Sequence, residues 1–275
     1  MGTFKLNLKI IGQIIFVIIF FSTLQAKNLN KFYDEDGISD YFSGILLLDN
    51  NQYNESFKFL KKLDGLESSH INYSAKYLYS LINSENFIEA FNYSRKLEKQ
   101  KLDNLESNLI IGIFYLKNSN YDLAEKYFLK AKNKNSNFLL NDYITDSLHN
   151  WSNLKKIDFE SAEIKIKKLD NRFKNLKKIQ NVFLNCFFNS QNTLALFEQI
   201  TSEKNIDFSR YNYFYASYLA SSGNTNEAKK VVKKALKSRP RNLLLNQYKI
   251  DLDKKIKKSI FFCKKQEHVV AEILY

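Results

Sequence analysis

A spacing of 34 residues constrains this chain more than any other feature of its 275 residues. Tyr53, Phe87 and Tyr121 stand 34 positions apart, and each opens a run with apolar residues at helical spacing. Three positions after each aromatic comes a small residue: Ser56, Ala90 and Ala124. Seven positions after come Leu60, Ser94 and Phe128, and ten after come Leu63, Leu97 and Ala131. An apolar helical stretch precedes each aromatic, at Tyr41–Leu48, Tyr73–Ile82 and Leu109–Leu116. Asn- and Ser-rich turns, such as Asn83-Ser84-Glu85-Asn86, join the two runs. The pattern predicts helix–turn–helix units stacked side by side, because one pair cannot cover its own apolar face.

These landmarks resemble the tetratricopeptide repeat family. The third unit matches through Ile111-Gly112, Tyr115, Ala124, Phe128 and Ala131. A later unit matches through Tyr215-Ala216, Leu219, the turn Ser222-Gly223-Asn224, then Ala228, Val232, Ala235 and Pro240. Gly44 takes the small step in the first unit, whereas Leu78 stands there in the second, which predicts a slightly wider helix separation. Phe159 lies 38 positions after Tyr121, so that unit carries a four-residue insertion. The resemblance implies an all-α, right-handed superhelical solenoid of antiparallel helix pairs. It spans residues 39–245 in about six pairs, with 137–205 degenerate.

Composition agrees by exclusion. Seven Gly and one Pro are too few for a sandwich or barrel of many short strands. Hydrophobic residues at 44% and charged residues at 26% place the chain among folded rather than disordered proteins. The formal charge of +13 is read as solvated surface in a Lys- and Asn-rich chain. No aromatic pattern interleaves Lys254, Lys255, Lys257, Lys258, Lys264 and Lys265, so nucleic acid is not an expected partner.

The N-terminus reads as an export leader. Lys5 and Lys9 precede an apolar stretch at residues 10–24, unbroken over Ile14–Phe21, and Ala26 ends it. Cleavage after Ala26 leaves residues 27–38 as a lead-in and predicts a periplasmic or secreted chain that meets the membrane only transiently. An inner-membrane anchor at residues 10–24 is the alternative, although fifteen helical residues rise only about 22 Å. Residues 246–275 read as a Lys-rich helical tail, and the apolar run ending at Tyr275 suggests a fragment of a longer repeat protein.

Candidate chemistry is sparse. His70, His149 and His268 lack partners at metal-ligand spacing. Cys186 reads as core packing between Leu184 and Phe187, and a bond to Cys263 stays open because sequence separation fixes no geometry. No phosphate loop or nucleophile motif occurs, so no catalysis, metal or cofactor is expected. The resemblance implies instead a concave groove lined by the first helix of each pair. Its positions map to Tyr41, Ile45 and Leu48, then Ala75, Tyr79 and Ile82, then Leu109, Ile113 and Leu116, and finally Tyr213, Ser217 and Ala220. Tyr41, Ala75 and Leu109 stand where a carboxylate clamp of chaperone-binding members needs charge. The expected role is a non-catalytic scaffold holding a protein or peptide through an apolar, aromatic groove. The alternatives are an accessory of envelope assembly or cell-wall enzymes, and the helical arm of an enzyme whose catalytic domain lies beyond residue 275.

Overall fold

A computed structural model of the chain describes residues 35–70, 72–134, 138–203, 208, 210–254, 262–264 and 269–270. Thirteen α-helices and four 3-10 turns form the regular structure of those residues, and no strand occurs among them. The helices are α1 (Glu35–Asp49), α2 (Tyr53–Lys61), α3 (Tyr73–Asn83), α4 (Phe87–Lys99) and α5 (Leu105–Lys117). There follow α6 (Tyr121–Asn133), α7 (Leu139–Ser152), α8 (Phe159–Lys168), α9 (Lys174–Phe187) and α10 (Thr193–Ser202). The series ends with α11 (Tyr211–Ser221), α12 (Thr225–Ser238) and α13 (Leu243–Asp253). The chain divides into two compact units, one up to Ile111 and one from Gly112. Within each, helices adjacent in sequence pack on one another, so the fold class is all-α and of the helical-repeat kind. The leader, its cut after Ala26, His268 and most of the Lys-rich tail lie outside the described residues. No helix of the described residues is long and apolar enough to cross a membrane.

The turns inside the pairs repeat one device. Asn51, Glu85, Ser119, Asn189 and Gly223 all carry positive φ, between 55° and 85°. In each case the amide of the next residue reaches back to a carbonyl five positions earlier. Gln52 N donates to Leu47 O at 2.8 Å, Asn86 N to Leu81 O at 2.9 Å and Asn120 N to Tyr115 O at 2.9 Å. Ser190 N to Asn185 O and Asn224 N to Leu219 O, both 2.8 Å, complete the series. This left-handed closure satisfies the last carbonyls of the first helix and reverses the chain in three residues, or five at Asn189. The turn between α7 and α8 differs. It holds a 3-10 turn, Leu154–Lys156, and accommodates three of the four extra residues, while α7 is one residue longer than α5. Asp158 Oδ1 then caps α8 by accepting from Ser161 N at 2.7 Å.

Close helix approach is set by one pair of positions. A Cβ on Gly44 would lie 2.7 Å from Leu60 Cδ2, and one on Gly112 would lie 2.5 Å from Phe128 Cε1. The second of each pair comes sixteen positions after the first. The same register gives Leu78 and Ser94, and Ala216 and Val232, all buried. In the second pair the large residue has moved to the first helix and the small one, Ser94, to the second. Leu78 shares its site with Ser94, and the two helices of this pair approach each other less closely than those of the first pair or of α11 and α12, which is the wider separation expected of Leu78.

Several polar groups inside the two units tie elements together, whereas the buried Ser94 Oγ makes no hydrogen bond. In the N-terminal unit Lys96 Nζ lies 2.7 Å from Glu67 Oε1 and also pairs with Asp64. Gly65 N donates to Glu67 Oε2 at 2.8 Å, and Tyr73 Oη donates to Leu60 O at 2.8 Å. In the C-terminal unit Gln180 accepts from Trp151 Nε1 at 3.0 Å. Its amide nitrogen donates to Tyr143 Oη at 2.6 Å and Ser147 Oγ at 2.8 Å. Cys186 of α9 is not packed as a free thiol. It is bonded to Cys263 across 77 positions, with Cα atoms 5.6 Å apart and both cysteines buried. Lys264 Nζ donates to Phe187 O at 2.8 Å beside it.

Candidate binding surface

The first helices of the pairs position the candidate surface, and they do not treat the expected residues alike. In the N-terminal unit Tyr79 of α3 is 51% exposed, while Tyr41, Ile45 and Ile82 are half-buried and pack against the core. Leu109 is also half-buried. Leu48 is only 4% exposed, and in the C-terminal unit Leu116 is only 2% exposed. Both residues belong to the core and not to a binding surface. The reason is their place in the last turn of α1 and α5, where the chain reverses and the second helix covers them. In the C-terminal unit Ile113 is 37% exposed, and Tyr213 is half-buried with its ring 4.9 Å from that of Tyr248. Burial raises the Tyr213 hydroxyl above its ordinary ionisation range.

The N-terminal unit exposes apolar residues that sequence reasoning missed. Ile38, Phe42 and Leu46 recur every fourth residue of α1, and Phe42 and Leu46 are 66% and 63% exposed. The signal was present: a second apolar row runs one position away from Tyr41 and Ile45, making α1 apolar over most of its circumference. The Tyr53 ring meets Tyr79 edge-on at 6.0 Å. Its hydroxyl donates to Asn51 Oδ1 at 2.6 Å. The adjoining Tyr79 hydroxyl raises the Tyr53 ionisation above its ordinary value. Asn83 Nδ2 donates to Tyr79 O at 2.8 Å and Asn50 Nδ2 to Leu46 O at 2.9 Å, so the polar groups near this surface are turned onto its own backbone. Large aromatic and aliphatic side chains stand outward here, which suits an apolar or amphipathic segment.

The titratable cluster around Glu125 is structural. Glu125 accepts from Asn153 Nδ2 and Lys156 Nζ, each at 2.8 Å, and lies 3.3 Å from His149 Nε2. Burial holds His149 below its ordinary ionisation range against the opposing pull of Glu125. This cluster ties α6 to α7 and the turn after it. His70 lies with its ring 4.8 Å from Tyr41. Among the described residues no group of three His, Cys, Asp or Glu is placed to hold a metal ion.

Residues 209–242 match the tetratricopeptide repeat. The match spans α11, its turn, α12 and Pro240. Its landmarks are in place: Ala216, Leu219, Ala228, Val232 and Ala235 are buried, and Gly223 sits at φ 85°. No curated protein matches the chain. The left-handed turn of the matched pair recurs at Asn51, Glu85, Ser119 and Asn189, so the chain carries a tetratricopeptide repeat at 209–242 within an all-α, helical-repeat fold.

Proposed function

We propose that the chain is an exported scaffold that binds a protein or peptide through the apolar, aromatic surface of α1 and α3, without catalysis. Tetratricopeptide repeats generally mediate protein–protein interaction, and this is the role the repeat suggests here. The observation that carries the specific reading is the outward row Ile38, Phe42 and Leu46 with Tyr79 in the same unit. Large exposed apolar side chains cost solubility unless something covers them. Anchoring by aromatic and aliphatic side chains favours an amphipathic helix or hydrophobic peptide over a charged tail. The Cys186–Cys263 bond supports export, because such bonds persist in oxidising compartments. Ile113 and Tyr213 extend the proposal to the C-terminal unit as independent contacts.

Capture of partners from envelope extract tests the binding reading. Phe42→Asp and Tyr79→Ala, both at exposed positions, leave helix content unchanged and abolish partner recovery. Recovery at the level of the unaltered chain would overturn the assignment of this surface. Export is tested by N-terminal sequencing of chain recovered outside the cytoplasm, which begins at Lys27 if the leader is removed.

A further inference from the structure

A strongly charged face lies far along the chain from that surface, on α12 and the loop after it. Residues 229–241 hold Lys229, Lys230, Lys233, Lys234, Lys237, Arg239 and Arg241, with no Asp or Glu among them. All seven side chains are exposed, while Ala228, Val232 and Ala235 turn inward. The cationic row runs about 12 Å from Lys229 to Lys237 at helical rise. Little of it is neutralised. Lys229 pairs with Asp253 at 2.9 Å and Lys230 with Glu227 at 2.7 Å. Asp251, the other acid of α13, is buried and receives Gln247 Nε2 at 2.9 Å. Lys233, Lys234, Lys237 and Arg241 have no acidic partner among the described residues.

Two features direct this charge toward a surface that is both anionic and apolar. A cavity of about 290 Å³ opens beside α12, walled by Lys229, Lys233 and Lys249 and floored by Val232 and Leu252, with Asp253 at one side. Immediately after Arg239 and Arg241, Leu243 is 84% exposed and Leu244 42%, at the start of α13. A soluble acidic chain would satisfy the lysines and leave these leucines in water. A bilayer interface meets both requirements, since headgroup phosphates face the cations and leucine enters the acyl boundary. We propose that α12 and the Arg239–Leu244 loop dock onto an anionic lipid surface. The lysine-walled cavity receives a headgroup phosphate, and Leu243 is the inserting side chain.

Tryptophan fluorescence on the full chain tests this directly. Trp151 is the only tryptophan and is buried, so it contributes a constant background. Leu243→Trp places a reporter at the exposed tip. Vesicles carry brominated acyl chains in phosphatidylcholine, either alone or with about one-third phosphatidylglycerol. The reporter is quenched by the anionic vesicles and not by the neutral ones, and quenching fades as salt rises. Combining Lys233→Glu, Lys234→Glu and Lys237→Glu weakens partitioning by about a hundredfold or more, with helix content unchanged. Equal quenching by neutral vesicles, retention in the triple variant, or no quenching by anionic vesicles would each overturn the proposal. A reporter shifted by soluble polyglutamate but not by vesicles would overturn it too, and would assign the face to an acidic protein. The groove variants Phe42→Asp and Tyr79→Ala leave this binding intact, which separates it from the proposed protein-binding role.

Discussion

At the residue scale the turns carry a cost that one substitution removes. Glu85 sits at φ 63° and Ser119 at φ 58°, in the left-handed region that side chains with a Cβ populate reluctantly. Gly223, at the same position of the matched repeat, meets no atom within 4 Å of a Cβ built on it, so only its φ matters. Glu85→Gly is therefore expected to stabilise the fold by about 0.5–1 kcal/mol, after the entropy lost by the unfolded glycine is deducted. Gly223→Ala is expected to cost about 1 kcal/mol. Thermal melts of the two variants against the unaltered chain measure both signs. The turn locations were legible from their Asn and Ser content. The left-handed residue within each was not, because Glu85 and Ser119 are poor choices for it by composition alone.

At the scale of the helix pair, the facing positions act together. Gly112→Leu drives its side chain into Phe128 and is expected to cost about 1–3 kcal/mol. Phe128→Ser alone empties the site and is expected to cost about 3–5 kcal/mol. The double variant reproduces the arrangement of Leu78 and Ser94. It should be more stable than the sum of the two costs, which a double-mutant cycle by denaturant unfolding reads directly. Gln180→Leu leaves the buried Trp151 N–H without its acceptor and is expected to cost about 1–3 kcal/mol. The same logic explains what the sequence disclosed. The first three pairs were readable because Gly, Ala and aromatic landmarks recur at fixed spacing. Residues 137–205 looked degenerate because six residues separate α7 from α8 and five separate α9 from α10, against three in the other pairs, which shifts the landmarks out of the 34-residue spacing. Periodicity likewise marked an apolar stripe on α1 and α5 but not its solvent edge, so Leu48 and Leu116 were assigned outward and Phe42 and Leu46 were passed over.

At the scale of the whole molecule, two stability profiles follow from where its unusual groups sit. Tyr73, Tyr77 and Tyr93 of the N-terminal unit all have ionisation raised, chiefly by burial and then by neighbouring acids and tyrosines. A raised folded value means that the unfolded chain releases these protons first. Their contribution is fully present below the ordinary tyrosine value of 10.0 and is lost as the pH climbs beyond it. Denaturant midpoints should therefore fall between pH 9 and 11 by more than they do in a Tyr93→Phe variant, where about one such group is removed. In the C-terminal unit the Cys186–Cys263 bond closes a long loop, and its reduction is expected to cost about 2–4 kcal/mol. Melting with and without a thiol reductant, with Cys186→Ser as the reference, checks it.

The traded volumes at Leu78 and Ser94 decide how this molecule can be taken apart and rebuilt. A helix lifted from one hairpin and grafted into another would bring two bulky side chains, or two small ones, to the same spot. A complete hairpin carries both halves of its own fit. Recombination or design that respects this grain can splice, lengthen or shorten the array only at the joints between hairpins.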